Sequence, residues 1–305
     1  MLAQIILLAV GFILLVKGSD WFVDGASAIA EKLKIPQLII GLTIVAMGTS
    51  APEAAISISA ALKGSADITI GNIVGSNILN ILIILGLSAV IAPLTVDRST
   101  ICRELPFLIG ISFLLLVQGW DGSVNLFDGL VLIVLFTVYL AYLLIKAKRQ
   151  PQPDQEDTNQ RNQWRMPLTV VGLAAVVIGS NLAVDAACAI ARLWGMSERF
   201  IGLTIVALGT SLPELFTSVT AARKGNAAIA IGNIVGSNIF NILFVVGLSA
   251  IIIPVPFAAA FRLDSTITVA AAIFLLIFCV RAGTLKRWHG AVMLVGYMVY
   301  FLIIL

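Results

Sequence analysis

Charge is the scarcest commodity in this chain. Of its 305 residues, 11% are charged, against roughly 25% in an ordinary soluble domain. That excludes a water-exposed globular surface over most of the length. Histidine occurs once, and the three cysteines, Cys102, Cys188 and Cys279, stand far apart with no C-x-x-C pair. A disulfide framework or a zinc site is therefore not expected, and the cysteines read as packing residues. A net charge of +3 gives no ground for a nucleic-acid partner, because a mild basic excess in an apolar chain belongs to its cytoplasmic loops.

What fills the chain instead is hydrophobic sequence, 60% of it. It divides into ten apolar runs, at residues 2–30, 37–62, 68–93, 104–119, 126–145, 167–191, 199–222, 228–253, 265–281 and 288–305. A helix of about 20 residues crosses a hydrocarbon core of about 30 Å, so an all-α, polytopic membrane protein is predicted. The opening run, Leu2 to Val16, lacks the basic start of a signal peptide and is expected to be retained. The one long polar segment, AKRQPQPDQEDTNQRNQWR from Ala147 to Arg165, has the Gln, Pro and charge of a solvated linker. It separates a first unit, residues 1–146, from a second, 167–305, with 147–166 between them.

The two units repeat each other. IGLTIVAMGTSAPE at 40–53 returns as IGLTIVALGTSLPE at 201–214, and IGNIVGSNILNIL at 70–82 as IGNIVGSNIFNIL at 231–243, both displaced by 161 positions. The same offset aligns GSDWFVDGASAIA from Gly18 with GSNLAVDAACAIA from Gly179. Each unit thus holds five spans in the same order. An odd number means that consecutive copies enter the membrane from opposite sides, so the repeats are expected to be inverted. Of the 19 basic residues, fourteen fall in one set of loops and four in the other, with Lys17 inside the first span. This bias predicts a cytoplasmic linker and both termini outside.

Within the second span, Pro52 removes the hydrogen bond to the Gly48 carbonyl and crowds it, so the helix is expected to break there. Freed carbonyls at membrane depth need protein, water or an ion as partner. Thr49, Ser50 and Glu53 project around that break, as do Thr210, Ser211 and Glu214 around Pro213. The third span adds Ser76 and Asn80 behind Gly71 and Gly75, and its twin adds Ser237 and Asn241. All are hard oxygen donors, suited to Ca²⁺ or Na⁺ rather than zinc or copper. Ser76, Asn80 and their twins fit helix packing equally well. The glutamates do not: an ionised side chain at the bilayer centre costs from about 3 to above 10 kcal/mol, and the only basic residue in their two spans is Arg199, at the very start of the second. They must be protonated, hydrated or cation-bound. Lys17, Asp20 and Asp24, at helical spacing on the first span, fit an internal ion pair or a vestibule, and Asp185 follows suit. His289 is expected in a loop without a catalytic role. Trp21, Trp120, Trp164, Trp194 and Trp288 fall near span ends, as an interfacial belt would.

GTSAPE with GSNILN, repeated as GTSLPE with GSNIFN, closely resembles the α-repeats of the sodium/calcium exchanger family, most nearly its prokaryotic branch. The resemblance implies broken helices two, three, seven and eight around a cluster of cation positions at the membrane midplane. Glu53 and Glu214 would form its centre, with Thr49, Ser50, Ser76, Asn80, Thr210, Ser211, Ser237 and Asn241 as further ligands and the carbonyls of Ala46 and Ala207 joining them. Helices one and six would slide as a gate carrying Asp24 and Asp185. The expected activity is Na⁺/Ca²⁺ antiport in the cell (inner) membrane, both ions being transported substrates, with no cofactor and no obligate protein partner. A proton/divalent-cation antiporter would use the same Glu pair. A passive channel is a further alternative. An intramembrane hydrolase finds no support, since G-x-S-x-G and an intramembrane histidine are both missing.

Overall fold

The computed structural model describes residues 1–149, 165–196 and 207–304. Most of the linker, and the first third of the expected span 199–222, lie outside the described residues. The helices are α1 (Leu2–Leu33), α2 (Gln37–Thr49), α3 (Ala51–Leu62), α4 (Ile68–Ile91), α5 (Thr100–Asp121), α6 (Leu126–Arg149) and α7 (Pro167–Leu193). After the gap come α8 (Ala207–Thr210), α9 (Leu212–Arg223), α10 (Ala227–Ile252), α11 (Ala259–Ala282) and α12 (Arg287–Ile304). Among the described residues, eight helices are long and apolar enough to cross a membrane, and α2 with α3 forms a ninth, bent span.

Burial grades these spans from centre to rim. The most apolar windows of α4 and α10 are 78% and 83% buried, against 22% for α1, so α4 and α10 stand at the middle and α1 faces lipid. Glycines let α10 approach α2: a Cβ on Gly232 would lie 3.0 Å from the Gly41 Cα, and one on Gly236 2.7 Å from the Leu42 carbonyl oxygen. α1 and α7 run antiparallel as a pair. Gly11 meets Gly179 and Ala183, while Gly18 meets Gly172 and Val176. The 161-residue offset turns Gly11 into Gly172 and Gly18 into Gly179, so it simply exchanges the two contacts. Two short antiparallel ribbons behave alike: Leu94–Thr95 pairs with Thr284–Leu285, and Ser123–Val124 with Val255–Pro256.

A Cβ at position 172 would press on the Phe22 backbone and sit 2.7 Å from the Gly18 carbonyl oxygen. Gly172→Val is therefore expected to cost about 1–3 kcal/mol, read as a lower unfolding midpoint of the detergent-solubilised protein. An unchanged midpoint would mean that α1 and α7 are not held at this register.

Several expectations need correction. Helices three and eight are not broken: α4 and α10 run through, each with a π-helical turn, at Asn80–Leu85 and Asn241–Val246. Neither segment contains a proline, so one extra residue per turn is absorbed without interrupting the axis. The acids of α1 find their cation across the repeats, not in Lys17: Lys224 Nζ lies 2.7 Å from Asp24 and 3.3 Å from Asp20. With both partners about one-third exposed, that pair contributes at most about 1 kcal/mol. His289 sits in α12, buried, stacked on Phe278 at 4.5 Å, with its Nδ1 accepting from the Lys286 backbone N–H. Cys102 is exposed instead of packed. Trp21, Trp120, Trp194 and Trp288 are all exposed, while Trp164 lies outside the described residues.

Candidate cation-binding site

The break in the second span sets the site. α2 passes through a π-helical stretch at Gly41–Val45, ends at Thr49, and α3 restarts at Ala51 with a bend of 50°. Ser50 leaves helical geometry at ψ 6°, as Ser211 does between α8 and α9 at ψ 5°. Pro52 and Pro213 supply the cause in both repeats, since each sits in the first turn of the new helix where its missing N–H is tolerated. Glu53 and Glu214 consequently lie in the first turns of α3 and α9. There the positive ends of the helix dipoles favour a carboxylate charge.

The two glutamates, each 1% exposed, are tied to the opposite repeat. Ser50 Oγ donates to Glu214 Oε1 at 2.7 Å, and its twin Ser211 Oγ donates to Glu53 Oε1 at 3.5 Å. Thr49 donates to Asn233 Oδ1 at 3.0 Å and to the Ala46 carbonyl at 3.3 Å, which Ser237 also reaches at 3.3 Å. Ser76 is fully buried on α4. Thr210 is only half-buried, unlike Thr49. Ala207 is the first residue of α8, directly after residues 201–206, which lie outside the described residues.

Four asparagines that the sequence reading passed over arrange these donors. Asn238 Oδ1 accepts from Asn80 Nδ2 at 2.9 Å, and Asn77 Oδ1 accepts from Asn241 Nδ2 at 3.2 Å. The amide nitrogens of Asn77 and Asn238 in turn reach each other's backbone carbonyls, at 3.4 and 3.2 Å. Asn72 and Asn233 brace the glutamate turns, donating to the carbonyls of Glu53 and Glu214 and to Ser57 and Ser218. Their recurrence in IGNIVGSN was the available signal, but the choice of partner was not written there.

With the asparagine nitrogens held, the oxygens of Asn80 and Asn241 are left over. Asn80 Oδ1, Asn241 Oδ1, Glu53 Oε2 and Glu214 Oε2 are all buried and accept no hydrogen bond. An acceptor left in that condition costs about 1–3 kcal/mol. Four orphaned oxygens, contributed by two twin pairs, form an acceptor set of the kind that Na⁺ or Ca²⁺ coordinates. Hydroxyls of Ser50 and Ser211 stand beside them, free to turn their lone pairs inward. The sequence-predicted residues Glu53, Glu214, Ser50, Ser211, Asn80 and Asn241 thus each take part in hydrogen bonds that cross between the repeats.

The family model described as sodium/calcium exchanger protein matches residues 3–145 and 165–305. The chain is 42% identical to the putative antiporter CaxA of Alkalimonas amylolytica, over 98% of each chain. It is 33% identical to the sodium/calcium exchanger MaX1 of Methanosarcina acetivorans, over 98% of this chain and 97% of that one. Among solved structures, the sodium-calcium exchanger NCX_Mj superposes with a TM-score of 0.87 at 32% identity, covering 99% of this chain and 98% of the other. Matched across both repeats in sequence and along nearly its whole length in structure, this multi-pass membrane protein belongs to the sodium/calcium exchanger family.

Proposed function

We propose that the protein is a secondary antiporter exchanging Na⁺ for Ca²⁺ across the cell membrane by alternating access. Ten spans in two inverted five-helix repeats, with both termini outside and the 147–166 linker cytoplasmic, complete the reading. The observation that carries it is the set of four orphaned oxygens on Glu53, Glu214, Asn80 and Asn241. Two carboxylates balance the charge of one Ca²⁺, and the neutral amides add oxygens without adding charge. Na⁺ ions compete for the same carboxylates, so the two cargoes are carried in turn. An empty carboxylate pair in a low-dielectric site is unfavourable, which opposes the conformational switch until cations fill it.

The gate in this reading is the α1–α7 pair. Leu15, Val176 and Ala183 pack as a small cluster of their own, apart from the main core. Leu212 and Phe216 of α9 pack against that cluster, and Phe22, Val23, Ala26 and Ala30 of α1 belong to the main core, so a shift of the pair would be felt by the helix that carries Glu214. Proteoliposomes loaded with Na⁺ are expected to accumulate radioactive Ca²⁺ when external Na⁺ is removed, and an imposed pH gradient in Na⁺-free medium is expected to drive none. Uptake driven by the pH gradient alone would replace Na⁺ by H⁺ as the coupling ion. Ca²⁺ equilibration with neither gradient would mark a channel.

A further inference from the structure

We propose that a cavity between the cationic ends of α5 and α6 binds the headgroup of an anionic phospholipid. The cavity, of about 260 Å³, is lined by Arg103, Tyr142, Ile145, Lys146 and Arg149. Tyr142, Ile145, Lys146 and Arg149 follow one another at i, i+3, i+4 and i+7 and so share one face of α6. Arg103 comes from the π-helical start of α5, Thr100–Glu104. The 24 residues of α6 extend about 36 Å, longer than a hydrocarbon core of about 30 Å. Arg149, its last residue, therefore reaches headgroup depth, with Lys146 one turn deeper.

The floor of the cavity is electrically settled. Lys146, 6% exposed, pairs with the buried Glu104 at 2.9 Å, while Tyr139 and Tyr142 donate their hydroxyls to Glu104 at 3.2 and 3.1 Å. Lys146 also donates to Ser99 Oγ. An ammonium has three protons, so those two bonds leave one uncommitted beside the cavity. With Glu104 and Lys146 cancelling, the exposed guanidiniums of Arg103 and Arg149 give the cavity a positive balance. A phosphodiester matches the fork of a guanidinium. The same mouth carries apolar surface suited to an acyl chain, since Ile145, which lines it, is 52% exposed. A soluble anion would use the cations and leave that surface unexplained; a lipid uses both, as in basic pockets between membrane helices.

Native mass spectrometry of the full chain released from detergent tests the assignment, with phosphatidylglycerol and phosphatidylcholine of identical chains as probes. Phosphatidylglycerol is expected to bind in preference, and to resist displacement by millimolar inorganic phosphate. Each cation near a membrane surface contributes about a five-fold gain, so Arg103→Gln or Arg149→Gln should weaken phosphatidylglycerol about five-fold and the double variant about thirty-fold. Arg287→Gln, at an exposed span end elsewhere, should leave binding unchanged. Both single variants spare the Lys146–Glu104 pair, and an unfolding midpoint in detergent checks that they fold. Equal affinity in the double variant, equal binding of phosphatidylcholine, or displacement by phosphate would each overturn the proposal.

Discussion

Glu53→Gln and Glu214→Gln are each expected to reduce Na⁺-driven Ca²⁺ uptake by more than about a hundred-fold, the consequence of losing one partner of a buried charge interaction worth about 3–5 kcal/mol. The geometry sharpens the sign. Each glutamate already accepts a serine hydroxyl on Oε1, from Ser211 or Ser50, while Oε2 has no partner. A glutamine that keeps the serine bond on its oxygen must turn its NH₂ to the place of Oε2. The variant then presents a donor to the cation where the native chain presents a carboxylate oxygen. A neutral amide is also cheaper to bury than a carboxylate, so the unfolding midpoint of the cation-free variant should be equal to the native one or higher. Uptake measured together with that midpoint separates a lost ligand from a lost fold. Retained exchange in either variant would remove the Glu pair from the centre of the site.

The second large effect is expected at residues that meet no ion. Asn238→Leu keeps nearly the same volume but removes the acceptor that holds Asn80 Nδ2 and the donor that reaches the Asn77 carbonyl. Two buried polar groups are left unpaired, at about 1–3 kcal/mol each, and the Asn80 amide is released to turn its nitrogen inward. Groups that orient a ligand typically alter metal affinity by about 10–100-fold. The apparent KM for Ca²⁺ should rise within that range, with a smaller fall in maximal rate. Asn77→Leu should do the same through Asn241, the mirror contact. If apparent Ca²⁺ affinity were unaltered in both, the asparagine bridge would be packing alone.

Much of this was legible in the chain. Apolar run lengths, the 161-residue offset and the Gly-Thr-Ser-x-Pro-Glu break are local patterns, each fixed by elementary physics. A helix must match the hydrocarbon thickness, a proline must interrupt it, and a carboxylate at that depth must have a partner. Those constraints single out Glu53, Glu214 and the surrounding oxygens as the candidate site from sequence alone. They could not say that Asn77 and Asn238 hold Asn80 and Asn241, because those bonds join residues 158 to 164 positions apart. Nor could they place the π-helical turns at Asn80–Leu85 and Asn241–Val246. NILIIL and NILFVV are ordinary helical sequences, and the extra residue is tolerated only because neighbouring helices pack around it. Asp24 likewise looked like a partner for Lys17 until the fold carried Lys224 to within 2.7 Å of it. Sequence alone determined the membrane class, the duplication and the chemical type of the site, since these follow from periodicity and the cost of burying charge. Tertiary structure alone decided which oxygens remain without a partner, because that depends on contacts between the two repeats.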